Sequence, residues 1–182
     1  MRDSTAIVLF GDHGYHLGEQ GLWNKHPNFE TATHAPLIVS VPGQRNAGRK
    51  TEALTEFVDI YPSLCDICGV AQPSGLEGSS FIPLFEDPDR IWKRAAFSQY
   101  PRTIPGVGPG MGRSMRTQRY RFTEWRAFDT NFLASELYDY NVDPNETHNI
   151  ANDPSNASLV NGLSGMLREG WPSSLPPTER PA

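Results

Sequence analysis

The sequence predicts an α/β fold followed by a small antiparallel sheet, and three observations lead to this prediction. The apolar, β-rich run Ala6–Phe10 stops at Gly-Asp-His-Gly, and a second run of this kind lies in "APLIVSVPG". Short continuous apolar runs are typical of buried strands in parallel sheets. From about Trp92 the chain contains several short strand-forming segments without intervening helices, which is typical of an antiparallel sheet.

One helix and one long connection are predicted before the antiparallel segments. Apolar residues recur at helical spacing in Glu52–Cys68, and Gly69 is placed to end that helix. Cys65 and Cys68 lie at its C-terminal end, whereas a redox pair lies at a helix start, so we expect two small core residues. The Gly-, Pro- and Ser-rich segment 71–90 is expected to be a surface connection anchored by "FIPLF".

The C-terminal half is predicted to hold four strands and a terminal helix. The strand-forming segments are "AAFSQY", "GRSMRTQ", "RYRFTEWR" and "SELYDYNVDP", each bounded by turn signals. A helix is expected near Ser158–Trp171, and the Pro-rich tail after it is expected to fray. The predicted domains are residues 1–90, part of an α/β core, and residues 91–182, the antiparallel subdomain. Because a core-type strand follows Met1 almost at once, we expect a longer parent protein.

Composition and charge argue against some classes of function. The net charge is −5 and the pI is near 5.5, and no basic stripe is present, so no nucleic-acid partner is expected. The densest basic cluster, Arg113–Arg121, is interpreted as a solvated strand face, although it would also suit an anionic substrate. No apolar run approaches the roughly 18 residues of a membrane-spanning helix, so no span is expected.

Side chains able to do chemistry follow the first strand. Asp12 and His13 lie between two glycines just beyond the carboxyl end of that strand, where ligands bind in open α/β sheets. Lys25 follows in the loop "NKHPNFE", and its ammonium is a compact charge that suits an oxyanion. Each has a structural alternative, because Asp12 suits a helix-capping turn and most lysines are simply exposed. His34 is interpreted as a histidine at the core edge or behind the site.

A long segment carries a resemblance to a known family. The string "GDHGYHLGEQGLWNKHPNFETATHAPLIVSVPG" resembles the second signature region of sulfatases, especially of their iduronate-2-sulfatase-like branch. Two later blocks agree, since "MGRSMRTQRYRFTEW" and "ELYDYNVDPNETHNIA" resemble motifs of the family's C-terminal subdomain. The resemblance implies part of an alkaline-phosphatase-like parallel sheet with helices, followed by a small antiparallel subdomain. It also implies that the chain corresponds to the C-terminal part of a sulfatase.

The resemblance further implies site residues and a cofactor. Asp12 and His13 would be metal ligands and half of the metal site, with Ca²⁺ as the cofactor and Mg²⁺ as the other candidate. Lys25 would be catalytic, contacting the sulfate and easing departure of the leaving group. Tyr15 and His26 would contact the substrate. The formylglycine nucleophile, made from a Cys-x-Pro-x-Arg-type motif that this sequence lacks, would lie upstream of the chain.

Three hypotheses about function stay open at this point. The favoured one is a sulfatase that cleaves sulfate esters of a sulfated carbohydrate, or another sulfate ester, within a periplasmic, secreted or lysosomal parent protein. A phosphoryl hydrolase of the same superfamily is the second, and turnover of aryl sulfate against aryl phosphate would separate the two. An inactive truncated fragment is the third. The isolated chain is expected to lack sulfatase activity and to dissolve poorly, because Ala6–Phe10 would expose strand edges.

Overall fold

A computed structural model describes residues 2–129 and 131–179, which form two compact units. The first unit contains residues 2–11, 36–96 and 171–179, and the second contains residues 12–35 and 97–170. The strands are β1 (Ile7–Phe10), β2 (Leu37–Ser40), β3 (Ala95–Ile104), β4 (Gly108–Thr117), β5 (Tyr120–Ala127) and β6 (Phe132–Asp139). The α-helices are α1 (Glu30–Thr33), α2 (Ile60–Cys68), α3 (Pro83–Glu86) and α4 (Ala157–Glu169). Short 3-10 turns lie at Arg2–Ser4, Glu19–Gly21, Phe57–Asp59, Pro154–Asn156 and Trp171–Ser174.

The predicted fold class is confirmed, since helices and a short sheet accompany a separate four-stranded antiparallel sheet. That sheet has the order β3-β4-β5-β6, and β5 pairs antiparallel with both β4 and β6. In the first unit β1 and β2 also pair antiparallel, with Ile7 opposite Ser40 and Phe10 opposite Leu37. The two predicted strands therefore exist, but they do not run parallel to each other. The division into domains at residue 90 stays a prediction.

The first unit packs on one face of its two-stranded sheet. A buried cluster of Ile60, Phe81, Leu84 and Trp92 forms its core, and Leu37 and Val39 of β2 pack against this cluster. The prediction that β1 is a buried strand is wrong. Ile7 and Leu9 are 61% and 55% exposed, and Ile38, opposite Leu9, is 61% exposed. Successive side chains of a strand point to opposite faces, and the other face of this sheet carries no covering layer in the described chain.

Helix α2 starts later than predicted. The segment 52–56 is not helical, because a capping box at Glu56 makes the first helical turn begin at Phe57. In that box the side chains of Glu56 and Asp59 each accept a hydrogen bond from the other end of the first turn. Gly69 ends the helix in the left-handed region at φ 64°, as predicted. Cys65 is buried and Cys68 is exposed, and both are free thiols, so only the first is the expected core residue.

Two further predictions for the first unit have opposite outcomes. The "FIPLF" anchor is confirmed, since Phe81 and Leu84 are 3% and 5% exposed. The fraying tail is wrong as far as residue 179, because the Arg94 amide donates to the Ser174 carbonyl at 3.0 Å. The Ser79 hydroxyl also donates to Glu179 at 2.7 Å. The end of that tail, residues 180–182, lies outside the described residues.

The four-stranded sheet has a buried column of cross-strand neighbours. Phe122 of β5 lies opposite Met115 of β4 and Leu137 of β6, and these three side chains are 0–1% exposed. Helix α4 contacts β4 and β5 and buries Leu163, which confirms the predicted C-terminal helix, although it ends at Glu169. Among the residues described, no helix combines the length and apolar character needed to cross a membrane.

Candidate functional site

Asp12 and His13 form a close pair just after β1. The Nε2 atom of His13 lies 3.3 Å from Asp12 Oδ2, and the Asp12 side chain is 82% exposed. On its other side the His13 ring places Nδ1 2.6 Å from the carbonyl oxygen of Gly14. A carbonyl only accepts, so Nδ1 carries a proton. The ring therefore turns Nε2 toward the side where the carboxylate lies.

Lys25 reaches the same nitrogen. Its Nζ lies 2.9 Å from His13 Nε2, so the ammonium donates a hydrogen bond to the lone pair. The exposed Lys25 is twelve residues from His13, and the loop between them folds back on itself. The His16 amide donates to the Asn24 carbonyl at 2.8 Å, next to Lys25. The structure thus brings together Asp12, His13 and Lys25, which sequence reasoning had named from their chemistry.

Of the predicted substrate-binding residues, Tyr15 contacts a backbone carbonyl and His26 contacts another side chain. The Tyr15 side chain is half exposed, and its hydroxyl donates to the Trp23 carbonyl at 3.3 Å. The His26 ring stacks on Tyr100 of β3, with ring centroids 5.2 Å apart and planes inclined by 11°. Two exposed aromatic surfaces therefore follow the pair in sequence, and their role toward a substrate stays a prediction.

The loop that carries the pair is fixed to α1 through Gly14. The Gly14 amide donates to the Ala32 carbonyl at 2.8 Å. A Cβ atom on Gly14 would lie 1.8 Å from the Thr31 carbonyl oxygen, so only glycine allows this approach. Residues 12–35, which contain the pair, also contact the four-stranded sheet through buried Asn28. The Asn28 side-chain amide donates to the Gly112 carbonyl on β4 at 2.9 Å.

A buried ionic network that sequence reasoning missed lies at α1. Arg121 of β5 is 2% exposed, and its Nε donates to Glu146 Oε1 at 2.6 Å. Its Nη2 donates to Glu30 and, at 3.0 Å, to the Thr33 hydroxyl. The interpretation of Arg113–Arg121 as a solvated face is therefore wrong for Arg121. The basic composition of this segment gave no warning, because it does not reveal that β5 is buried on both faces.

This network shifts the pKa values of two residues, Glu30 and His34. Burial alone would raise the pKa of Glu30, but a hydrogen bond from His34 and the charges of Arg121 and Arg116 lower it to about 2. The same hydrogen bond raises the pKa of His34. His34 Nδ1 lies 3.3 Å from Glu30 Oε1, and its side chain is largely exposed. His34 thus belongs to the α1 network, on the side away from the core.

A cavity of about 550 Å³ in the second unit adjoins this network rather than the Asp12–His13 pair. Its lining residues are mostly of polar types and include three glutamates and one histidine. The lining residues are Glu19, Gln20, Glu30, Thr31, His34, Pro144, Asn145, Glu146 and Thr147. The pair and Lys25 are therefore presented on the surface of this unit, outside that cavity.

The donor atoms of the pair fit a hard divalent cation as two ligands of a larger set. An exposed carboxylate is the oxygen ligand that Ca²⁺ and Mg²⁺ prefer, and an unprotonated imidazole nitrogen is a second donor. Within residues 2–129 and 131–179 no group of three or more His, Cys, Asp or Glu residues is arranged to hold a metal. Calcium takes six to eight ligands. A cation at this pair would need further ligands beyond those the described residues supply.

Comparison with known proteins shows the family to which the chain belongs. A family model described as "N-sulphoglucosamine sulphohydrolase, C-terminal" matches residues 18–170. Iduronate 2-sulfatase of Mus musculus is 32% identical over 90% of this chain and 41% of its own length. N-acetylglucosamine-6-O-sulfatase of Bacteroides thetaiotaomicron is 30% identical over 92% of this chain and 30% of its own length. The chain thus spans well under half the length of these curated relatives.

Solved structures agree in fold. A protein crystallised with its substrate D-glucosamine-2-N,6-O-disulfate has a TM-score of 0.79 and 30% identity, over 92% of this chain and 34% of that one. The phosphonate monoester hydrolase of Agrobacterium radiobacter has a TM-score of 0.76 and 26% identity, over 93% of this chain and 36% of that one. Because the family model matches most of its length, the chain belongs to the sulfatase family, within the group described as N-sulphoglucosamine sulphohydrolase, C-terminal.

Proposed function

We propose that this chain is part of a metal-dependent sulfatase in which Asp12 and His13 hold a divalent cation and Lys25 binds the sulfate group. One observation carries the proposal: His13 Nε2 lies 3.3 Å from an oxygen of the Asp12 carboxylate and 2.9 Å from the Lys25 ammonium, from which it accepts a hydrogen bond. When bound, a divalent cation would offset the charge of a sulfate ester and polarise its oxygen atoms.

The residues of this chain would have two roles toward the sulfate, one of binding the cation and one of binding the anion directly. Asp12 and His13 would fix the anion's position through the cation that they hold. His13 Nε2 has a single lone pair, which at present accepts from Lys25. Because one lone pair serves one partner, a cation on Nε2 would release the ammonium. Lys25 would then donate to a sulfate oxygen or to the leaving oxygen, whose developing negative charge it would stabilise.

A sulfated sugar is the proposed substrate class. Its support is the names of the relatives, iduronate 2-sulfatase and N-acetylglucosamine-6-O-sulfatase, and the disulfated glucosamine bound in the similar solved structure. Tyr15 and His26 are proposed to line the sugar side, since both rings offer exposed surface near the pair in sequence. We further propose that a formylglycine nucleophile and the remaining metal ligands come from outside these 182 residues, which contain no Cys-x-Pro-x-Arg motif.

The cation and anion roles can be tested on the 182-residue chain joined to a nucleophile-bearing sulfatase segment, which would supply the remaining ligands. Ca²⁺ or Mg²⁺ titrated into this ¹⁵N-labelled protein is expected to shift the signals of Gly14 and the His13 ring, and Asp12→Asn is expected to abolish these shifts. Sulfate added after the cation is expected to shift the Lys25 signals, and Lys25→Met is expected to remove this response only. Lys50→Met, at an exposed loop lysine, is the matched control. Unchanged cation titration in Asp12→Asn would contradict the proposed metal role.

The reaction itself requires a nucleophile. The chain alone is expected to release no product from an aryl sulfate, whereas the chain joined to a nucleophile-bearing sulfatase segment is expected to do so. The structural likeness to a phosphonate monoester hydrolase keeps phosphoryl transfer as the second candidate. A higher kcat/KM for aryl phosphate than for aryl sulfate would favour that alternative over the proposal.

A further inference from the structure

Helix α1 is too short to hold its own shape. It has four residues, and isolated helices of such length are unstable in water. Forming the first turn fixes several backbone dihedral angles, and the hydrogen bond that it gains does not offset this entropy loss. No side chain of the preceding residue, Phe29, caps its N-terminus. The conformation of α1 must therefore be imposed by groups from other elements that contact its two ends.

Those groups are Arg121 and Glu146, which we call the clamp together with Glu30. At the N-terminal end of α1, Glu146 Oε2 accepts from the Glu30 amide at 2.7 Å. At the C-terminal end, Arg121 donates to the Thr33 hydroxyl at 3.0 Å. Arg121 also pairs with the carboxylates of both glutamates. One guanidinium and two carboxylates thus hold both ends of a single helical turn.

The clamp is buried and its geometry is specific. The side chains of Arg121 and Glu146 are 3% and 2% exposed, so each charge depends on the other after leaving water. Tyr140 adds a hydroxyl that donates to Glu146 Oε1 at 2.5 Å. Glu146 itself has φ 54°, a left-handed conformation that costs free energy in a residue with a side chain. Such an outlier persists only where the surrounding contacts demand it.

From α1 the constraint reaches the Asp12–His13 pair through two backbone contacts. The Gly14 amide donates to Ala32 within α1, and Gly14 lies against the Thr31 carbonyl too closely for any side chain. The Gly14 carbonyl in turn accepts from His13 Nδ1 at 2.6 Å. That bond selects the ring tautomer and so decides whether Nε2 offers its lone pair.

We propose that Arg121 and Glu146 are positioning residues that set the tautomer and orientation of His13, although neither contacts the pair. Movement of the carboxylate of Glu146 would displace α1, and α1 would carry the Gly14 backbone with it. The bearing on catalysis rests on the proposed metal role of Asp12 and His13. The mechanical link from clamp to ring does not, because it can be measured without any metal.

Amide hydrogen exchange and ring ¹⁵N spectra of the 182-residue chain test this link. In Glu146→Gln, the Gly14 amide is expected to exchange at least about tenfold faster than in the wild type, beyond any change shared by the β5 amides. The His13 ring is expected to change from one Nδ1-protonated tautomer to a mixture at alkaline pH, where imidazoles are neutral. Glu146→Asp, which keeps the charge but retracts it, is expected to cause a smaller change in the same direction.

A matched control separates positioning from general destabilisation. Asp139→Asn neutralises another carboxylate of the same sheet, which pairs with Arg119 at 2.7 Å. This variant is expected to leave the Gly14 exchange rate and the His13 tautomer unchanged. If Glu146→Gln fails to fold, Glu146→Asp decides. A folded Glu146 variant with wild-type Gly14 exchange and a wild-type His13 spectrum would overturn the proposal, whatever the outcome of the cation and sulfate titrations.

Discussion

Acidification tests the charge balance around Glu30. Its folded-state pKa of about 2 lies below the ordinary value of 4.5. The unfolded chain therefore binds this proton more readily, and stability falls as the pH drops. The contribution is fully present above pH 4.5 and is lost as the pH falls toward 2. A shift of this size corresponds to about 3 kcal/mol at neutral pH, of which about 2 kcal/mol is lost by pH 3.

The variant Glu30→Gln isolates that contribution. Its free energy of unfolding is expected to lie about 3 kcal/mol below the wild type at pH 7, and only about 1 kcal/mol below it at pH 3. The side chain of Glu30 is 24% exposed, so most of the shift survives solvent screening. Urea titrations followed through the β5 amide signals give the stability of the second unit.

Two comparisons make the result decisive. Glu169→Gln, at an exposed position on α4, is expected to follow the wild-type acid dependence. His34 acts in the opposite sense, because its pKa is raised by the hydrogen bond to Glu30. Its contribution is present at low pH and is lost as the pH rises through that raised pKa. If the free energy of unfolding falls by the same amount between pH 5 and 3 in the wild type and in Glu30→Gln, the loss of stability in acid does not come from Glu30 and the reasoning is refuted.

Two further predictions concern the first unit. Lys93→Met is expected to lower the free energy of unfolding of the first unit by about 3–5 kcal/mol in urea titrations. Lys93 Nζ lies 2.6 Å from Oδ1 of Asp59, and without it this fully buried carboxylate would lose its positive partner. Arg49→Met, which breaks an exposed ion pair, is expected to cost less than about 1 kcal/mol, and equal losses would contradict this reasoning. The isolated chain is expected to self-associate through its bare sheet face, so Leu9→Thr with Ile38→Thr is expected to raise the monomer fraction in light scattering. Ile91→Thr, at an exposed position outside the strands, is the control, and an equal gain there would argue against the sheet face.

The elements were predictable where local patterns dominate. Gly69 ends α2 because a left-handed residue closes a helix at no steric cost, and this signal is visible in the sequence. The start of the same helix was missed by several residues. Its position depends on the capping box of Glu56 and Asp59, and on Lys93, which lies 34 residues beyond Asp59 and neutralises its carboxylate. Helical periodicity carries no information about such a partner.

The candidate site divides in the same way. Asp12, His13 and Lys25 lie within fourteen residues of one another, so their chemistry was readable from a single string. The clamp was not, since Arg121 is 91 residues from Glu30 and 25 from Glu146. Its members look like ordinary surface charges until the fold buries them. A short string thus supplies the residues of the proposed site, while residues far along the chain are the ones that we propose to orient the His13 ring. Substitutions of Arg121 or Glu146 should therefore alter the site without changing any residue of that string.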